Sequence, residues 1–88
     1  MYLHLGKGTV VNEKTIVGIF DLDITSQSHL TRAFLAAAER AGEVENAADD
    51  LPKSFVVCRD GDQRTVYLSQ MSCATLLKRS FERADSSI

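Results

Sequence analysis

The chain has 88 residues and a formal net charge of −2, and 44% of its residues are hydrophobic. This length predicts a single domain spanning residues 1–88, and the charge excludes a protein coated in basic side chains for nucleic acid. The apolar runs are shorter than the roughly 18 to 20 residues that span a bilayer, and the start lacks the pattern of a signal peptide. The sequence therefore predicts a cytoplasmic protein with no membrane partner.

The first element in chain order is a hairpin. Residues 2–5 alternate apolar and polar side chains, Gly6-Lys7-Gly8 follows, and residues 9–11 resume the strand pattern. Glycines beside a lysine also suggest a phosphate-binding loop, but the helix and the Lys-Ser/Thr pair of such a loop are missing. We therefore predict a hairpin turn.

The most apolar run of the chain is residues 14–22, and residues 54–58 and 65–68 resemble it. These runs lack the alternation of a strand with one face in water, so they are typical of strands covered on both faces. Within the first run, Gly18 indicates a bulge or a close backbone approach.

Residues 28–41 have helical spacing, with Thr25, Ser26 and Ser28 as candidate N-caps and Gly42 at the C-terminal end. The predicted apolar face of this helix consists of Leu30, Phe34, Ala37, Ala38 and Ala41. Residues 43–50 are acidic and without pattern, so we predict a mobile, solvated loop that ends before Pro52.

Residues 54–69 contain the clearest hairpin, with Asp60-Gly61-Asp62-Gln63 at its tip. Ser69 or Ser72 then caps a second helix. The predicted apolar stripe of this helix consists of Cys73, Leu76, Leu77, Phe81 and Ala84. The predicted solvent-exposed face consists of Lys78, Arg79, Glu82 and Arg83.

These elements predict an α+β fold: a small, mostly antiparallel sheet of about five strands with two helices on one face. If both helices pack on one face of the sheet, the apolar residues on the other face remain exposed. We therefore predict that this second face meets another copy of the chain in a homo-oligomer.

Few residues are suited to catalysis or to metal binding. Asp21 and Asp23 could form an acid and base pair, but carboxylates at a strand end more often belong to turns. The cysteines are typical of reduced core residues, and each of four candidate zinc ligands stands alone on its own element. These ligands are His4, His29, Cys58 and Cys73. We expect no cofactor and no enzymatic activity; an enzyme would depend on His4 or Asp21.

Charge is distributed unevenly along the chain. Residues 1–50 hold four basic and eight acidic side chains, whereas residues 51–88 hold six basic and four acidic ones. An anionic partner is therefore expected at the second half. One helix face carries Lys78, Arg79 and Arg83, and such a face is ordinarily only exposed to solvent. In a ring of identical subunits the face would be repeated, so that weak phosphate contacts from several subunits would combine.

Several segments resemble the extracellular matrix regulatory (Rem) family of Gram-positive bacteria. The resemblance is carried by Tyr2-Leu3-His4-Leu5-Gly6, Val10-Val11, Ile16-Val17-Gly18-Ile19-Phe20-Asp21, Pro52-Lys53-Ser54-Phe55-Val56-Val57 and the stretch from Leu68-Ser69 to Lys78-Arg79. It implies a ring-forming cytoplasmic protein connected with transcriptional activation of biofilm matrix genes. The A-type relatives are implied to bind DNA around the ring.

The chain departs from this family at the implied DNA contacts. The A-type arginines precede the third strand and lie in the loop before the fourth, where this chain has Thr15 and Leu51-Pro52. Lysine replaces arginine only as a point charge, so binding is expected to be weak and salt-dependent. The candidate DNA-binding residues are Lys14, Lys53, Lys78, Arg79 and Arg83.

Two hypotheses follow for the function. The first is an oligomeric regulator that contacts DNA through these cations. The second is a structural or protein-interaction module of the same fold that has lost the nucleic-acid surface and binds a protein partner, such as an A-type paralogue.

Overall fold

The computed structural model describes residues 1–22 and 28–86, with side chains as far as residue 80. The elements in chain order are β1 (Tyr2–Gly6), β2 (Thr9–Asn12), a 3₁₀ turn (Glu13–Thr15), β3 (Ile16–Asp21), α1 (His29–Arg40), β4 (Val44–Asn46), β5 (Ser54–Asp60), β6 (Gln63–Ser69) and α2 (Cys73–Ser86). The predicted α+β class is confirmed, as are both hairpins and both helices.

The strands form two separate sheets. β1 and β2 make a two-stranded antiparallel sheet, and the other four strands form a sheet in the order β3-β5-β6-β4. In the larger sheet β5 is antiparallel to both of its neighbours, whereas β4 runs parallel to β6. The prediction of one sheet of about five strands is therefore wrong, because the N-terminal hairpin does not join the others.

Gly18 marks the bulge that the sequence predicts. The pairing of β3 with β5 shifts register between Ile16 and Gly18. A Cβ atom on Gly18 would lie 2.7 Å from the ring of Phe20, which stacks on Phe55 with ring centroids 5.0 Å apart. The missing side chain therefore makes room for this aromatic pair.

Both faces of the four-stranded sheet are apolar, as the non-alternating runs predict. Successive residues of a strand point to opposite faces. On β5, Val56 and Cys58 belong to one buried cluster, and Phe55 and Val57 belong to another. The central strand is therefore covered on both sides.

Different parts of the same chain cover the two faces. The first face, called the hairpin face, is covered by the β1–β2 hairpin and by α2 through Leu3, Leu5, Val11 and Leu76. The second, called the α1 face, is covered by α1 through Phe34, Leu35 and Ala38. The prediction that both helices share one face is therefore wrong, because α2 packs on the hairpin face and α1 packs on the other.

Helix α1 has the predicted boundaries. The Ser28 hydroxyl accepts a hydrogen bond from the Thr31 amide at 3.4 Å, and Ala41 is the C-terminal cap. The alternative caps Thr25 and Ser26 lie outside the described residues. The predicted apolar face is correct only for Phe34 and Ala38. Among the others, Leu30 is 79% exposed, and Ala37 and Ala41 are exposed as well.

Helix α2 is capped by Ser72, one of the two predicted caps, and begins at Cys73. The Thr75 amide donates to the Ser72 hydroxyl at 3.1 Å. Ser69 instead lies fully buried, where its hydroxyl donates to the Leu5 carbonyl at 2.8 Å and accepts from the Met71 amide at 3.1 Å. This side chain ties the N-terminal hairpin to the end of β6.

The acidic segment 43–50 is not the solvated loop that the sequence predicts. It contains β4, and Ala47 and Ala48 after it are buried. The Ala47 amide donates to the Leu68 carbonyl at 2.8 Å, and the Asp49 amide donates to the Gln70 side chain at 3.0 Å. Main-chain pairing with β6 therefore holds a segment whose own side chains carry no strand pattern.

Candidate nucleic-acid interface

The predicted basic residues lie on three parts of the fold. Lys14 is in the 3₁₀ turn and Lys53 precedes β5, whereas Lys78 and Arg79 are on α2, and all four are exposed. Arg83 also belongs to α2, but its side chain lies outside the described residues. The side chains of Phe81 and Ala84, which were predicted to belong to the apolar stripe of this helix, also lie outside the described residues.

A hydrogen bond between side chains joins two of these parts. The Ser80 hydroxyl donates to a carboxylate oxygen of Glu13 at 2.8 Å. Glu13 precedes Lys14 in the 3₁₀ turn, and Ser80 follows Arg79 on α2. The structure therefore places Lys14, Lys78 and Arg79 on two touching elements, and the Glu13 carboxylate lies at the contact between them.

Lys53 belongs to the opposite end of β3. Its amide donates to the Ser69 carbonyl at 2.8 Å, and its carbonyl accepts from the Leu22 amide at 3.0 Å. Since strands rise about 3.3 Å per residue, a strand of the length of β3 separates Lys53 from Lys14 by roughly 20 Å. The structure therefore does not bring Lys53 together with the other candidates.

Two arginines that the sequence analysis did not select lie opposite each other on β5 and β6. Arg59 and Arg64 are cross-strand partners. Arg64 already has partners within the chain, because its guanidinium forms a salt bridge with Glu43 at 2.7 Å and lies 5.1 Å from the centre of the Phe34 ring. The Arg59 Nε donates to the Gly61 carbonyl at 3.1 Å. Their positions flanking the predicted hairpin tip were the signal that could have identified them.

These arginines stand among carboxylates. A cavity of about 230 Å³ is lined by both arginines together with Glu43 and Asp62. Opposite charges at close range cancel much of the field that would attract an anion. The hairpin tip is therefore a weaker phosphate site than its two arginines alone would suggest.

Cys58 lies in a mixed polar and apolar cleft of about 300 Å³ between the N-terminal hairpin and the β5–β6 hairpin, which also includes Thr15 and Tyr67. Burial raises the pKa of the Cys58 thiol, and a hydrogen bond with Thr15 lowers it by less. Burial, the Cys58 thiol and Glu45 together raise the pKa of Tyr67. A protonated thiol is a poor nucleophile at neutral pH.

The other candidate chemical residues are dispersed. His4 is exposed on β1, and Asp21 is half-buried at the end of β3, whereas Asp23 lies outside the described residues. Within the part of the chain that the structure describes, no three His, Cys, Asp or Glu side chains are grouped as a metal site requires. Both cysteines are free thiols. None of the helices in the described ranges is long and apolar enough to cross a membrane.

The buried thiol predicts a loss of stability at alkaline pH. A raised pKa in the folded state means that the unfolded chain releases its proton first, so stability is complete below the ordinary thiol pKa of about 8.5 and falls as pH rises through the folded value. We expect the free energy of unfolding, measured in urea, to decrease above about pH 9. In Cys58→Val this decrease should become shallower, leaving the part due to Tyr67. An unchanged slope in Cys58→Val would contradict the assignment.

Comparison with known proteins identifies the class to which this α+β chain belongs. Residues 2–80 match the RemA-like family, described as extracellular matrix regulatory protein A-like, and the chain is a member of that family. The resemblance found in the sequence is thereby confirmed.

A particular relative is extracellular matrix regulatory protein B of Bacillus subtilis (strain 168). The two sequences are 36% identical over 80 residues, which is 91% of this chain and 90% of the relative. The match therefore extends over both sheets and most of α2 rather than over a single motif.

Proposed function

We propose that the protein is a ring-forming, cytoplasmic regulator of extracellular matrix and biofilm genes that contacts DNA weakly and without reading its sequence. Membership of the extracellular matrix regulatory family supports the regulatory role. The observation that carries the DNA contact is the junction of the 3₁₀ turn with α2 at Glu13 and Ser80. That junction brings the turn that carries Lys14 into contact with the helix that carries Lys78 and Arg79.

The chemistry of this surface matches non-specific backbone binding. Lysine ammonium groups are point charges that attract phosphate without the directional fork of arginine. Glu13 reduces the local positive charge, so one subunit alone should bind weakly. A ring repeats the surface at fixed spacing, and each further contact then forms at high effective concentration.

Salt should weaken this binding steeply. Each neutralised phosphate contributes a slope of about −0.9 to the logarithmic dependence of affinity on salt for duplex DNA. Because several subunits would contribute cations, the slope should be steeper, that is more negative, than three cations on one subunit would give.

The second candidate function is a protein-interaction module of the same fold that does not contact DNA. It is supported by Thr15 and Leu51-Pro52 at the positions where the A-type relatives are implied to have arginines, and by the net charge of −2. Leu51 is also 80% exposed, as a residue in a protein contact would be. Under this alternative a paralogous regulator is the expected partner.

Reversing two charges on α2 is expected to abolish DNA binding. The variant Lys78→Glu/Arg79→Glu places carboxylates where phosphate would bind, so we expect no retardation of a long duplex in a gel at about 50 mM salt, where the wild type is retarded. The solution mass from light scattering should stay unchanged, because both side chains are exposed.

The matched control is Arg32→Glu/Arg40→Glu, which changes net charge by the same amount at exposed positions on α1, the helix on the other face of the sheet. It should retain most of the binding. Equal loss in both double variants would show that only net charge matters. A wild-type protein that never shifts duplex DNA, with an unchanged mass when DNA is added, would instead favour the protein-interaction module.

A further inference from the structure

The cleft between the N-terminal hairpin and the β5–β6 hairpin has the size of a small-molecule site. Its volume is about 300 Å³, and Cys58 is among the residues that line it, so it is called the Cys58 cleft. Small-molecule sites begin at about this volume, and they usually combine apolar walls with a few polar groups. The proposed DNA contact leaves this cleft without a role.

Cross-strand pairs of β5 and β6 form one wall of the Cys58 cleft. Asp60 is paired with Gln63 at the hairpin tip, and Cys58 is paired with Thr65. Tyr67 lies two positions beyond Thr65 on β6, and therefore on the same face, because alternate residues of a strand share a face. Since each residue of a strand adds about 3.3 Å, this wall is roughly 13 Å long from Gln63 to Tyr67. The length suits a ligand made of one ring and a short chain.

The opposite wall belongs to β2 and the 3₁₀ turn. It consists of Val10, Val11, Asn12 and Thr15. The Thr15 hydroxyl donates to the Asn12 carbonyl at 2.7 Å, and the Asn12 side chain accepts from the Lys14 amide at 3.0 Å. These bonds hold the polar part of the wall in place, and Val10, which is 51% exposed, supplies apolar surface. A ligand would therefore meet apolar and neutral polar groups on this side.

Negative charge predominates at the Cys58 cleft. Asp60 is the one charged residue among the described residues that line it, and neither of the ion pairs in the described part of the chain involves it. Glu45 is opposite Tyr67 in the pairing of β4 with β6. Burial raises the pKa of Tyr67, and the Cys58 thiol and Glu45 raise it further, whereas a hydrogen bond with Thr65 lowers it. The cleft therefore attracts a cation and repels an anion.

The Tyr67 ring provides a second attraction. The face of an aromatic ring attracts an ammonium group, and it also packs against another ring. Tyr67 packs against the buried cluster of the hairpin face, so this contact holds its ring in position. With Asp60 at one end of the wall and this ring at the other, the arrangement favours a ligand that has a charged end and an apolar body.

We propose that the Cys58 cleft binds a small arylalkyl amine, with the ammonium group at Asp60 and the ring between Tyr67 and Val10. Carboxylates of the same size are excluded, because Asp60 would repel them. The site is independent of the proposed function, since it needs neither DNA nor a second copy of the chain.

Two probes of matched shape test the charge preference. Phenethylamine and 3-phenylpropionate share a phenyl ring and two methylene groups, and they differ in the sign of the terminal charge. In a titration of the whole protein, phenethylamine should move the amide NMR signals of Cys58, Asp60 and Thr65 saturably, with a dissociation constant of about 1 mM. Binding of 3-phenylpropionate should be at least tenfold weaker.

A pair of neighbouring carboxylates tests the position of the ammonium group. Asp60→Asn should weaken phenethylamine binding at least fivefold, because the ammonium group loses its counter-charge. The matched control is Asp62→Asn, which removes the same charge two positions away. Asp62 lines the separate cavity that contains Arg59 and Arg64, so this variant should bind within twofold of the wild type. Both aspartates are exposed, so both variants should keep the fold.

A variant on the opposite wall tests the site without altering the hairpin tip. Val10→Lys places an ammonium group where the ligand would lie, so it should abolish the signal changes caused by phenethylamine. Val10→Ile keeps the wall apolar and should preserve them. Unaltered binding in Val10→Lys would overturn the placement of the ligand between the two walls.

The remaining outcomes are equally decisive. Equal binding of phenethylamine and 3-phenylpropionate would indicate an apolar contact that ignores charge, and it would overturn the proposal. Equal losses in Asp60→Asn and Asp62→Asn would indicate attraction to the hairpin tip as a whole and would overturn the role of Asp60. Signals that fail to saturate at ten times the expected dissociation constant would overturn the site itself. None of these outcomes bears on the proposed DNA contact.

Discussion

Leu76→Ala is expected to lower the free energy of unfolding by about 3 kcal/mol, since truncating a fully buried leucine leaves a cavity as well as losing apolar burial. Leu76 is 0% exposed and joins α2 to the cluster beneath the N-terminal hairpin. Urea denaturation followed by circular dichroism measures the loss.

The neighbouring leucine provides a matched control for this prediction. Leu77 is 42% exposed, so Leu77→Ala should cost less than about 1 kcal/mol. The two variants lose the same atoms from adjacent helical positions and differ in burial. Similar losses would mean that α2 does not pack on the hairpin face as described.

Gly6→Ala is expected to destabilise the protein by about 3 kcal/mol, through backbone strain and through a steric clash. Gly6 has φ of 126°, a conformation that alanine adopts only with strain. A Cβ atom there would also lie 2.7 Å from the Ala47 carbonyl oxygen, which belongs to the main chain and cannot rotate away. The N-terminal hairpin would have to move off the segment that follows β4.

Gly8→Ala separates the two causes. Gly8 has φ of 75°, and no heavy atom lies within 4 Å of a Cβ placed there. This variant should therefore lose only the backbone contribution, about 1 kcal/mol. Thermal or urea unfolding of both variants measures the difference. If Gly8→Ala proved as unstable as Gly6→Ala, the close approach to Ala47 would not be what makes Gly6 necessary.

The features that the sequence predicted correctly depend on neighbours along the chain. Hairpin turns follow from glycines that permit unusual backbone angles, and helix starts follow from Ser28 and Ser72, whose hydroxyls accept amide protons three residues on. The non-alternating composition of β5 likewise predicted burial on both faces, because it depends on each residue's own hydrophobicity.

The predictions that were wrong concern features that depend on residues far apart in the sequence. β4 contains a single apolar residue, Val44, and exists because its main chain pairs with β6 about twenty residues later. The N-terminal hairpin has the same pattern whether it extends the large sheet or packs across it. The hydrogen bond from Ser69 to Leu5, across 64 positions, is part of what selects the packed arrangement.

The candidate site was predictable by residue type but not by arrangement. Lysine and arginine on a helix face indicate a place for an anion, so Lys78 and Arg79 could be selected from their spacing. That the turn carrying Lys14 touches the helix carrying them depends on the contact of Glu13 with Ser80, and no local pattern indicates this contact. The distance of Lys53 from this group likewise depends on which strands pair.

The strand order has a consequence for how the protein is made. The chain lays down β3 at one border of the large sheet and β4 at the other, and only afterwards supplies β5 and β6, which fill the middle. During synthesis the two border strands have no partner in this sheet until residues 54–69 leave the ribosome. Folding of this sheet is therefore expected to be almost entirely post-translational, with the β5–β6 hairpin as its template.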